Sequence, residues 1–465
     1  MRPVVSAQQM RDAERPHLEA GVNLMAVAAR AVAREAEFML EASGRHGEVL
    51  VAAGPGNNGG DGLFAAARLA ARRSVTIWLT SGAGHQEGLA AARAAGCEVV
   101  DGPAARDLVG TAGLVIDAVL GIGARPGLEG EVAAFAAHCS RAKVPVMSVD
   151  LPSGLDPDSI RTHDSFTAEV TVTFGALKVC HVATPAAARC GRVEWVDLGI
   201  DIPECVAQLA GPDDLARDWP FPTHTSHKYS RGVVGLDTGS QTYPGAALLG
   251  CDGAANAGAG MVRYLGDAPR EMVLVRHPSI VIGEGRVQAM VIGSGWGPSA
   301  DARGKVEASI RSGVPLVVDA EALGVLDGLE LPADSLLTPH AGELARMLDI
   351  ERAQVEAEPA TSAREAAGRF GATVLLKGAT QYVATPEGDL IVAHRGPAWT
   401  AQAGSGDVLA GVCGVLLAAG LPAGTAGALG ASLQALAAER FPGPYPPDRL
   451  AATFPEVLGS LSTSM

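Results

Sequence analysis

A glycine-rich segment near the start of the chain combines residue types that could bind an anion or a cation. It reads Gly54-Pro-Gly-Asn-Asn-Gly-Gly-Asp-Gly62 and follows the apolar run 49–53. A strand, a glycine turn and a helix in that order place free backbone N–H groups at a helix N-terminus, which favours an anion. Asn57, Asn58 and Asp61 also supply side-chain oxygens, which a hard cation prefers. The structural alternative is a tight turn rich in asparagine.

Two more loops carry polar side chains directly after predicted strands. One reads Asp117-Ala-Val-Leu-Gly-Ile-Gly-Ala-Arg-Pro-Gly127, and the other reads Asp150-Leu-Pro-Ser-Gly-Leu-Asp156. Ligands of open parallel sheets bind beyond the carboxyl ends of the strands, so loops that are distant in sequence can meet there. We therefore expect the three loops to form one site, in which the glycines let the ligand approach the backbone.

A second candidate site lies far along the chain, in the segment Ala401-Gln-Ala-Gly-Ser-Gly-Asp-Val-Leu-Ala-Gly411. Gly404 to Gly406 stand before an apolar helical run, so their N–H groups could form an anion hole. Asp407, in the first turn of that helix, could take a proton from an alcohol that attacks a phosphoryl group. The alternative is that Asp407 only caps the helix.

Runs rich in β-forming residues alternate with alanine-rich helical stretches along the chain. This alternation is typical of a parallel sheet covered by helices, and such a sheet would position the loops. Helical spacing over 5–44 has Ser6 as a candidate N-cap and Gly44 as a candidate terminator. The uncharged run 408–438 is interrupted by six glycines and Pro422, which predicts two buried helices rather than a membrane span. The predicted strands are 49–53, 74–79, 114–118, 144–150 and 169–174, then 233–236, 289–292, 315–319, 335–337, 373–377 and 381–384.

The length of the chain predicts two domains. A chain of 465 residues exceeds the size at which a single hydrophobic core stops growing. Prolines gather between residues 203 and 224, which places the boundary near residue 215 and the domains at 1–215 and 216–465. We predict the α/β fold class, with a Rossmann-like three-layer α/β/α arrangement in the N-terminal domain.

The net charge, the cysteine spacing and the first residues of the chain argue against several kinds of partner, site and location. The chain has 36 Lys and Arg against 51 Asp and Glu, a formal charge of −15, so nucleic acid and anionic membranes are poor candidates. Its seven cysteines lack CxxC spacing, which argues against a zinc site or a disulfide scaffold. The first residues lack the apolar core of a signal peptide, and we therefore expect a cytoplasmic protein.

Motifs in the first half resemble the NAD(P)H-hydrate epimerase domain, the YjeF N-terminal family, from Gln9 to about Gly199. They are Asn57-Asn-Gly-Gly-Asp61, Asp117-Ala-Val-Leu-Gly-Ile-Gly123 and Val149-Asp-Leu-Pro-Ser-Gly154. The resemblance implies a potassium ion held by Asn58, Asp117 and Ser153. It implies a hydrated dinucleotide contacted by Asn57, Asn58, Gly59, Gly60, Asp61, Gly121, Ile122, Gly123, Ala124, Arg125, Pro126, Gly127 and Asp150.

Asp150 is the predicted acid/base group of this first site. Epimerising a carbinolamine carbon beside a ring nitrogen requires a proton to be moved on and off, which a positioned carboxylate can do. Lys178 also matches a lysine of the family. The alternative is that Lys178 is a solvated surface residue.

Motifs in the second half resemble the ribokinase-like NAD(P)H-hydrate dehydratase domain, the YjeF C-terminal family, over about residues 225–460. They include His227-Lys-Tyr-Ser-Arg-Gly232, Tyr243-Pro-Gly-Ala-Ala247, Leu337-Thr-Pro-His-Ala-Gly-Glu343 and the Gly404 to Asp407 segment. The resemblance implies that Ala246, Gly297 and His340 contact the hydrate, that Lys377, Gly378, Ala379, Thr380, Gln381 and Gly406 hold ADP, and that Asp407 is the base. Magnesium would bridge the nucleotide phosphates.

Two of these assignments have structural alternatives, and four positions depart from the pattern of the family. His340 could be a hydrogen-bonded core histidine, and Glu343 a residue that is commonly found at a helix start. The departures are Asp237, Trp296, Glu321 and Gln402, which stand where the family usually has an apolar residue, leucine, aspartate and threonine.

We therefore expect a bifunctional repair enzyme for damaged NADH and NADPH. Its first half would interconvert the R and S hydrates, and its second half would dehydrate the S form with ADP. The expected partners are NAD(P)H hydrate, ADP and further copies of the chain in a homo-oligomer. The alternatives are a ribokinase-like kinase for a small alcohol with a regulatory nucleotide-binding domain, and a dinucleotide sensor without turnover.

Overall fold

The computed structural model describes residues 1–123, 125–298 and 300–462. The chain forms two compact units, one over residues 2–206 and the other from Ala207 onward together with Met1. The helix Pro212–Asp218, at which the sequence placed the domain boundary, therefore lies inside the second unit. In the described ranges, no helix is both long enough and apolar enough to cross a membrane.

The first unit is built around a seven-stranded sheet whose strands are all parallel. The order across the sheet is Glu98–Val100, Val75–Leu79, Val49–Ala53, Leu114–Ala118, Val146–Val149, Val170–Phe174 and Arg192–Val196. The chain reverses its direction of winding between Val49–Ala53 and Leu114–Ala118, which creates a crevice at the carboxyl ends of these two strands. The predicted Rossmann-like sheet is confirmed.

Helices cover both faces of this sheet. The helical region predicted over 5–44 is split into two helices, because Gly21 adopts a left-handed conformation with φ +75° and Asn23 caps the second helix. The predicted N-cap Ser6 and terminator Gly44 are confirmed. The helices are Ala7–Glu19, Leu24–Ser43, Asn57–Leu69, Gln86–Ala94, Gly102–Leu108, Gly130–Ala142, Val179–Val182 and the 3₁₀ turn Ala186–Arg189, and a parallel pair of short strands is formed by Arg2–Val5 and Leu177–Lys178.

The second unit contains a mixed sheet. Its strands follow the order Val281–Ile282, Met261–Tyr264, Val233–Asp237, Ala289–Ile292, Leu316–Val318, Leu336–Leu337, Thr373–Leu376, Tyr382–Ala384, Leu390–Val392 and Ala207–Leu209. The first seven of these are parallel, whereas Tyr382–Ala384 is antiparallel to both of its neighbours. Winding reverses between Val233–Asp237 and Ala289–Ile292, which places a second crevice at their carboxyl ends.

Two long apolar helices form the centre of the core of the second unit. The uncharged run is divided into Ser405–Ala418 and Ala423–Arg440, as predicted from its glycines and Pro422. The other helices are Pro212–Asp218, Pro244–Asn256, Arg270–Arg276, Ala302–Ile310, Ala341–Leu348, Arg352–Ala357, Pro359–Phe370, Pro447–Ala451 and Phe454–Ser462, with 3₁₀ turns at Ala320–Val325 and Ala398–Thr400.

The glycines of these helices allow close packing. A Cβ on Gly253 would overlap the carbonyl oxygen of Val408, and a Cβ on Gly411 would overlap that of Gly250. The helices Pro244–Asn256 and Ser405–Ala418 therefore lie backbone against backbone. This contact fixes the first turn of Ser405–Ala418, which carries Asp407, beside the helix that carries Ala246.

Candidate active sites

The glycine-rich segment of the first unit is a short turn followed by the start of a helix. The helix begins at Asn57, with Gly56 as its N-cap, and no side chain accepts a hydrogen bond from its first N–H groups. Asn57, Asn58 and Asp61 therefore lie in the first turns of the helix rather than in a loop. These N–H groups have no side-chain acceptor, so this end of the helix can bind an anion, as the sequence predicted.

Three glycines of this segment are needed for packing within the protein. A Cβ on Gly54 would overlap the carbonyl oxygen of Val119, one on Gly59 the carbonyl oxygen of Gly54, and one on Gly62 the side chain of Ala118. Close contact between the helix and the strand ends thus accounts for them, and ligand approach is not needed to explain them. The close contact between the helix Asn57–Leu69 and the strand ends holds the polar side chains of the first turns at the crevice.

Replacing Gly59 by Ala should destabilise the first unit. Alanine favours a helix over glycine by roughly 1 kcal/mol, but overlap with a backbone carbonyl should outweigh this gain and cost about 1–3 kcal/mol net. We expect a fall of about 2–4 °C in the midpoint of thermal unfolding for each kcal/mol lost. The matched control is Gly110→Ala, because a Cβ there meets no atom within 4 Å. Equal midpoints for the two variants would contradict the packing explanation.

Asp117 is the fully buried centre of a polar cluster at the end of its strand. Its Oδ2 accepts hydrogen bonds from Ser148 Oγ and from the Ser153 backbone N–H, each at 2.8 Å, and its Oδ1 accepts one from Ser153 Oγ. Burial raises the pKa of the Asp117 carboxyl to about 6, and the hydrogen bonds from the two serines only partly offset this effect. In the described part of the chain, no cationic side chain forms an ion pair with Asp117.

Asn58 lies next to this cluster. A Cβ on Gly121 would be 3.3 Å from Asn58 Cβ, so the amide packs against the loop that follows Asp117. Ser153 Oγ accepts a hydrogen bond from Leu120 N–H at 2.8 Å, which ties the third predicted ligand to the same loop. Asn58 Nδ2 is buried and lacks a hydrogen-bond partner among the described atoms. An oxygen-rich donor set around an uncompensated carboxylate suits a hard cation.

The loop of residues 121–127 lies beside these residues. Gly127 N–H donates to Gly154 O at 2.8 Å, and Arg11 Nη1 donates to Ile122 O at 3.2 Å. Gly123, Arg125 and Pro126 are exposed. Ala124 lies outside the described residues. The three loops predicted to converge therefore do meet at the crevice.

Asp150 forms a buried ion pair with Lys178. Lys178 Nζ donates to Asp150 Oδ1 at 2.8 Å, and the lysine side chain is 1% exposed, so the alternative of a solvated surface lysine is wrong. Thr173 Oγ1 also donates to Asp150, at 3.2 Å. Although burial opposes ionisation, the Lys178 ammonium holds the pKa of Asp150 below its usual value. Asp150 has φ +67°, a left-handed conformation that aims its side chain at the lysine.

The charges of this pair act on two further carboxyl groups. Burial, followed by the charges of Asp150 and Glu14, raises the pKa of Asp61 well above its usual value. Burial also raises the pKa of Glu14, with Lys178 acting in the opposite direction. Sequence reasoning did not single out Glu14, because a lone glutamate on a polar helix carries no signal of its own. We call Glu14, Asp61, Asp150 and Lys178 the carboxyl cluster.

Cys180, His181 and Cys190 also come together, although their spacing in the sequence gave no sign of it. Their potential ligand atoms lie within 4.8 Å of one another, and all three residues are buried. His181 Nδ1 accepts a hydrogen bond from the Lys178 backbone N–H at 3.1 Å, so the neutral ring carries its proton on Nε2 and has no free lone pair for a metal. The hydrogen bond between His181 and the Lys178 backbone therefore holds this segment in place.

In the second unit, the helix Ser405–Ala418 begins at a glycine. Its N-cap is Gly404, with φ +92°, which offers no side chain to the first N–H groups. Gln402 Nε2 donates to Trp399 O at 2.7 Å and to Tyr445 O at 2.9 Å, which fixes the preceding loop. The N-cap position is therefore Gly404 and not Asp407, although the Asp407 carboxyl accepts a hydrogen bond from its own backbone N–H.

Asp407 has the protonation behaviour of a general base. Burial, reinforced by the nearby charge of Asp319, raises the pKa of Asp407 to about 6, while Lys377 acts in the opposite direction. Glu321, one of the departures from the family pattern, also acts on it electrostatically. A carboxylate with this pKa is ionised at neutral pH and can still accept a proton efficiently.

Lys377 lies beside the start of the helix Ser405–Ala418, and a network of hydrogen bonds among buried residues fixes its side chain. Its Nζ donates to Asp319 Oδ1 at 2.6 Å, and Asp319 also accepts from Ser294 Oγ at 2.8 Å and Thr338 Oγ1 at 2.9 Å. A Cβ on Gly406 would be 3.2 Å from Lys377 Nζ, so these two predicted nucleotide contacts are neighbours. Asp319 ends a strand that the sequence predicted, but no motif indicated a role for it.

The other predicted nucleotide contacts lie on an exposed turn after Lys377. Gly378, Ala379, Thr380 and Gln381 connect the antiparallel strands Thr373–Leu376 and Tyr382–Ala384. Gly378 and Ala379 are exposed, whereas Gln381 Oε1 is buried and lacks a described hydrogen-bond partner. Lys377 N–H donates to Pro339 O at 2.8 Å, which places this turn beside the segment that carries His340.

His340 and Glu343 cap a helix reciprocally. His340 is the N-cap of Ala341–Leu348, and its Nδ1 accepts from the N–H groups of Gly342 and Glu343 at 3.0 and 3.2 Å. Glu343 Oε2 accepts from His340 N–H at 2.8 Å. The helix-start reading of Glu343 is confirmed, but the reading of His340 as a buried core residue is wrong, because its side chain is 55% exposed.

Of the predicted hydrate contacts, Ala246 lies in the first turn of the helix Pro244–Asn256, and Gly297 lies in the loop after the strand Ala289–Ile292, which packs against the start of that helix. A Cβ on Gly295 would overlap Ala246 Cβ, and one on Gly297 would be 2.9 Å from Tyr243 Cε2. Trp296 Nε1 donates to Asp237 O at 2.9 Å and to Asp237 Oδ1 at 3.3 Å. Asp237 and Trp296, which both depart from the family pattern, are therefore hydrogen-bonded to each other. The loop of residues 293–297 stays packed against the start of the helix Pro244–Asn256.

Comparison with protein families finds a match in each unit. Residues 234–453 match the family described as NAD(P)H-hydrate dehydratase, and residues 21–180 match the family described as YjeF-related protein N-terminus. A protein of Mycobacterium leprae described as bifunctional NAD(P)H-hydrate repair enzyme Nnr is 40% identical over 81% of this chain and 80% of its own length. The protein of the same description from Mycobacterium tuberculosis is 38% identical over 92% of each chain.

Solved structures share the fold of the second unit. The crystal structure of an ADP/ATP-dependent NAD(P)H-hydrate dehydratase from Bacillus subtilis, co-crystallised with ATP and Mg²⁺, has a TM-score of 0.52 and 23% identity over 55% of this chain and 99% of its own. A ribokinase-like superfamily protein from Enterococcus faecalis has a TM-score of 0.51 and 19% identity over 56% of this chain and 99% of its own. The second unit therefore has a ribokinase-like fold.

Proposed function

The chain belongs to the family of bifunctional NAD(P)H-hydrate repair enzymes, and on that premise we propose that its two units act in succession on hydrated NADH and NADPH. The first unit interconverts the R and S hydrates. The second unit dehydrates the S hydrate and consumes ADP in doing so. The observation that carries this proposal is the position of Asp407, a half-buried carboxylate with a raised pKa, in the first turn of a helix whose N-cap is glycine, beside Lys377.

Each part of the second site has a role in dehydration. A hydroxyl is a poor leaving group, and phosphorylation of the C6 hydroxyl converts it into phosphate, which departs readily. Asp407 accepts the hydroxyl proton during attack on the phosphoryl group, while Lys377 and the N–H groups after Gly404 hold the phosphate. His340, Ala246 and Gly297 contact the hydrate, and Gly406 with residues 378–381 contacts ADP.

Magnesium would neutralise the nucleotide phosphates in this site. Oxygen ligands suit that ion, and the carboxylates of Glu321 and Glu343, whose charges act on Asp407 and Lys377, would hold it.

In the first site, Asp150 is the acid/base group and Lys178 keeps it ionised. The hydrate lies across the start of the helix Asn57–Leu69 and the loop 121–127, with Asp150 facing its carbinolamine carbon. A potassium ion held by Asn58, Asp117 and Ser153 would supply the positive charge that buried Asp117 lacks. It would also favour an anionic part of the dinucleotide at this crevice.

Two activities on one chain have a chemical reason. A dehydratase that accepts only the S hydrate leaves the R hydrate unrepaired, and an epimerase converts it. Each of the two carboxylate sites thus has a separate purpose. Homo-oligomeric assembly stays a prediction.

The rate of dehydration should depend on pH through Asp407. Its carboxyl must be ionised to accept a proton, and its pKa is raised to about 6. The kcat/KM for the S hydrate should therefore be constant at higher pH and fall tenfold per pH unit below about 6. Steady-state kinetics over a pH range in which the protein stays folded measures this. A constant kcat/KM down to pH ~4.5, near the ordinary carboxyl value, would contradict the assignment.

The experiment that tests the function as a whole is to incubate the protein with NADPH hydrate and ADP and to follow the absorbance of reduced nicotinamide. Recovery that requires ADP supports the dehydratase. The competing kinase would leave the hydrate unrepaired and would phosphorylate a different alcohol. Omitting nucleotide is the matched control.

A further inference from the structure

Within the carboxyl cluster, Asp61 has a buried oxygen that lacks a hydrogen-bond partner among the described residues. This atom is Oδ1, and Asp61 lies in the helix Asn57–Leu69. A buried polar oxygen without a partner costs free energy, and such atoms are uncommon in folded proteins. Asp61 is therefore held for something other than the stability of the helix.

Asp61 is influenced by negatively charged groups, whereas Asp150 contacts a cation and a hydroxyl group. Asp150 has an ammonium group 2.8 Å away and a threonine hydroxyl at 3.2 Å. The charged groups that act on Asp61 are the carboxyls of Asp150 and Glu14, and His85 packs against Gly60 of the same helix. Lys178 and Arg11 act on Glu14. One site thus holds a carboxylate stabilised as the anion and a carboxyl group stabilised as the neutral acid.

We propose that Asp61 is the general acid of epimerisation and works together with Asp150 as the general base. This inference rests on the epimerase activity proposed above for the same site. Two carboxyl groups whose surroundings favour opposite protonation states are the arrangement that acid/base chemistry on one substrate requires. The role goes beyond substrate contact, which is what the family motif implied for Asp61.

The chemical step balances with these two groups. Asp61 donates its proton to the C6 hydroxyl, the C6–O bond breaks with departure of water, and the lone pair of the ring nitrogen forms a C=N bond to C6. Water then adds to the opposite face of C6, Asp150 accepts the proton from this water, and the pair of electrons returns to nitrogen. A proton passes from Asp150 to Asp61 through solvent before the next turnover, so nothing is consumed.

The test uses the full-length protein and the variant Asp61→Asn, which has nearly the same shape but cannot donate an acidic proton. The matched control is Asp107→Asn, because Asp107 is exposed on the helix Gly102–Leu108. Chiral separation of the hydrate epimers over time gives kcat and KM. We expect a loss of ~10²–10⁴-fold in kcat with little change in KM, and the control should match the unchanged protein.

The pH profile distinguishes an acid from a structural residue. The unchanged protein should lose activity at high pH as Asp61 ionises, and Asp61→Asn should lack this alkaline decline in its residual rate. A wild-type kcat in Asp61→Asn, or a loss confined to KM with the alkaline decline retained, would overturn the proposal. Thermal unfolding shows whether the variant is folded, and Asp61→Glu, which restores a carboxyl group, should recover part of the rate. If the unchanged protein does not interconvert the epimers, the proposed function itself fails, which is a separate result.

Discussion

Replacing Asp407 by Asn is expected to lower the rate of hydrate dehydration by ~10²–10⁴-fold, because the amide cannot accept the hydroxyl proton. The change should leave the protein folded. Asparagine has nearly the same volume, the N-cap of the helix is Gly404, and removal of the half-buried carboxylate relieves its repulsion from Asp319. The measurement is ADP-dependent recovery of NADPH from the S hydrate.

The control for this variant is Asp389→Asn. Asp389 lies in an exposed turn of the same unit, so it matches the chemical change but not the position. Epimerisation by the first unit should be unchanged in both variants, which provides an internal reference for protein quality. An Asp407→Asn protein with an undiminished rate of dehydration would mean that another group takes the proton. A sensor without turnover would give no rate in any of these proteins.

Replacing Asp150 by Asn is expected to lower the rate of epimer interconversion by ~10²–10⁴-fold while dehydration of the S hydrate continues. Asparagine tolerates the left-handed backbone conformation of Asp150 better than most residues, so local strain should not be the cause of the loss. The measurement is chiral separation of the hydrate epimers after incubation without nucleotide. Asp107→Asn again serves as the matched control.

Asp150→Asn also leaves the buried Lys178 ammonium without its counterion. Removing one partner of a buried ion pair typically costs about 3–5 kcal/mol, so part of the activity could be lost through unfolding. The double variant Asp150→Asn with Lys178→Gln removes both charges and should recover much of that stability. If loss of the base causes the defect, the double variant will be stable and inactive. Recovery of epimerisation in the double variant would show that instability was the cause.

The sequence predicted the loops of both sites well because their signals are local. Glycines next to Asn57, Asn58 and Asp61, at the end of an apolar run, require a strand, a turn and a helix in that order. The same holds for Gly404 to Asp407, where the structure has the expected glycine turn and helix. Parallel strands end at one edge of a sheet, so convergence of the loops followed from the alternation of elements.

The partners of these residues could not be predicted in the same way. Lys178 read equally well as a surface lysine, because nothing near it in sequence indicates that it reaches Asp150. Glu14 and Asp319 depend on contacts between segments far apart in the chain, and so does the grouping of Cys180 with Cys190. His340 and Glu343 form a capping box, and the sequence alone did not separate that role from ligand contact.

Exact helix starts were also beyond the sequence reading. The segment Gly54 to Gly62 has five glycines and reads as an extended turn, yet the helix begins at Asn57. Packing of Gly59 against Gly54 and of Gly62 against Ala118 overrides the low helix propensity of glycine at these positions. This tertiary contact places Asp61 inside the crevice rather than on a flexible loop, and the acid role proposed for it depends on that placement.

The most direct test of the account is chiral separation of R and S NADPH hydrate after incubation with the full-length protein, with and without ADP. Without ADP, a pure epimer of either hand should relax to the equilibrium mixture, and no NADPH should appear. With ADP, both epimers should disappear and NADPH should be recovered from each. Disappearance of the S epimer alone, with the R epimer left unchanged, would contradict the claim that one chain carries both repair activities.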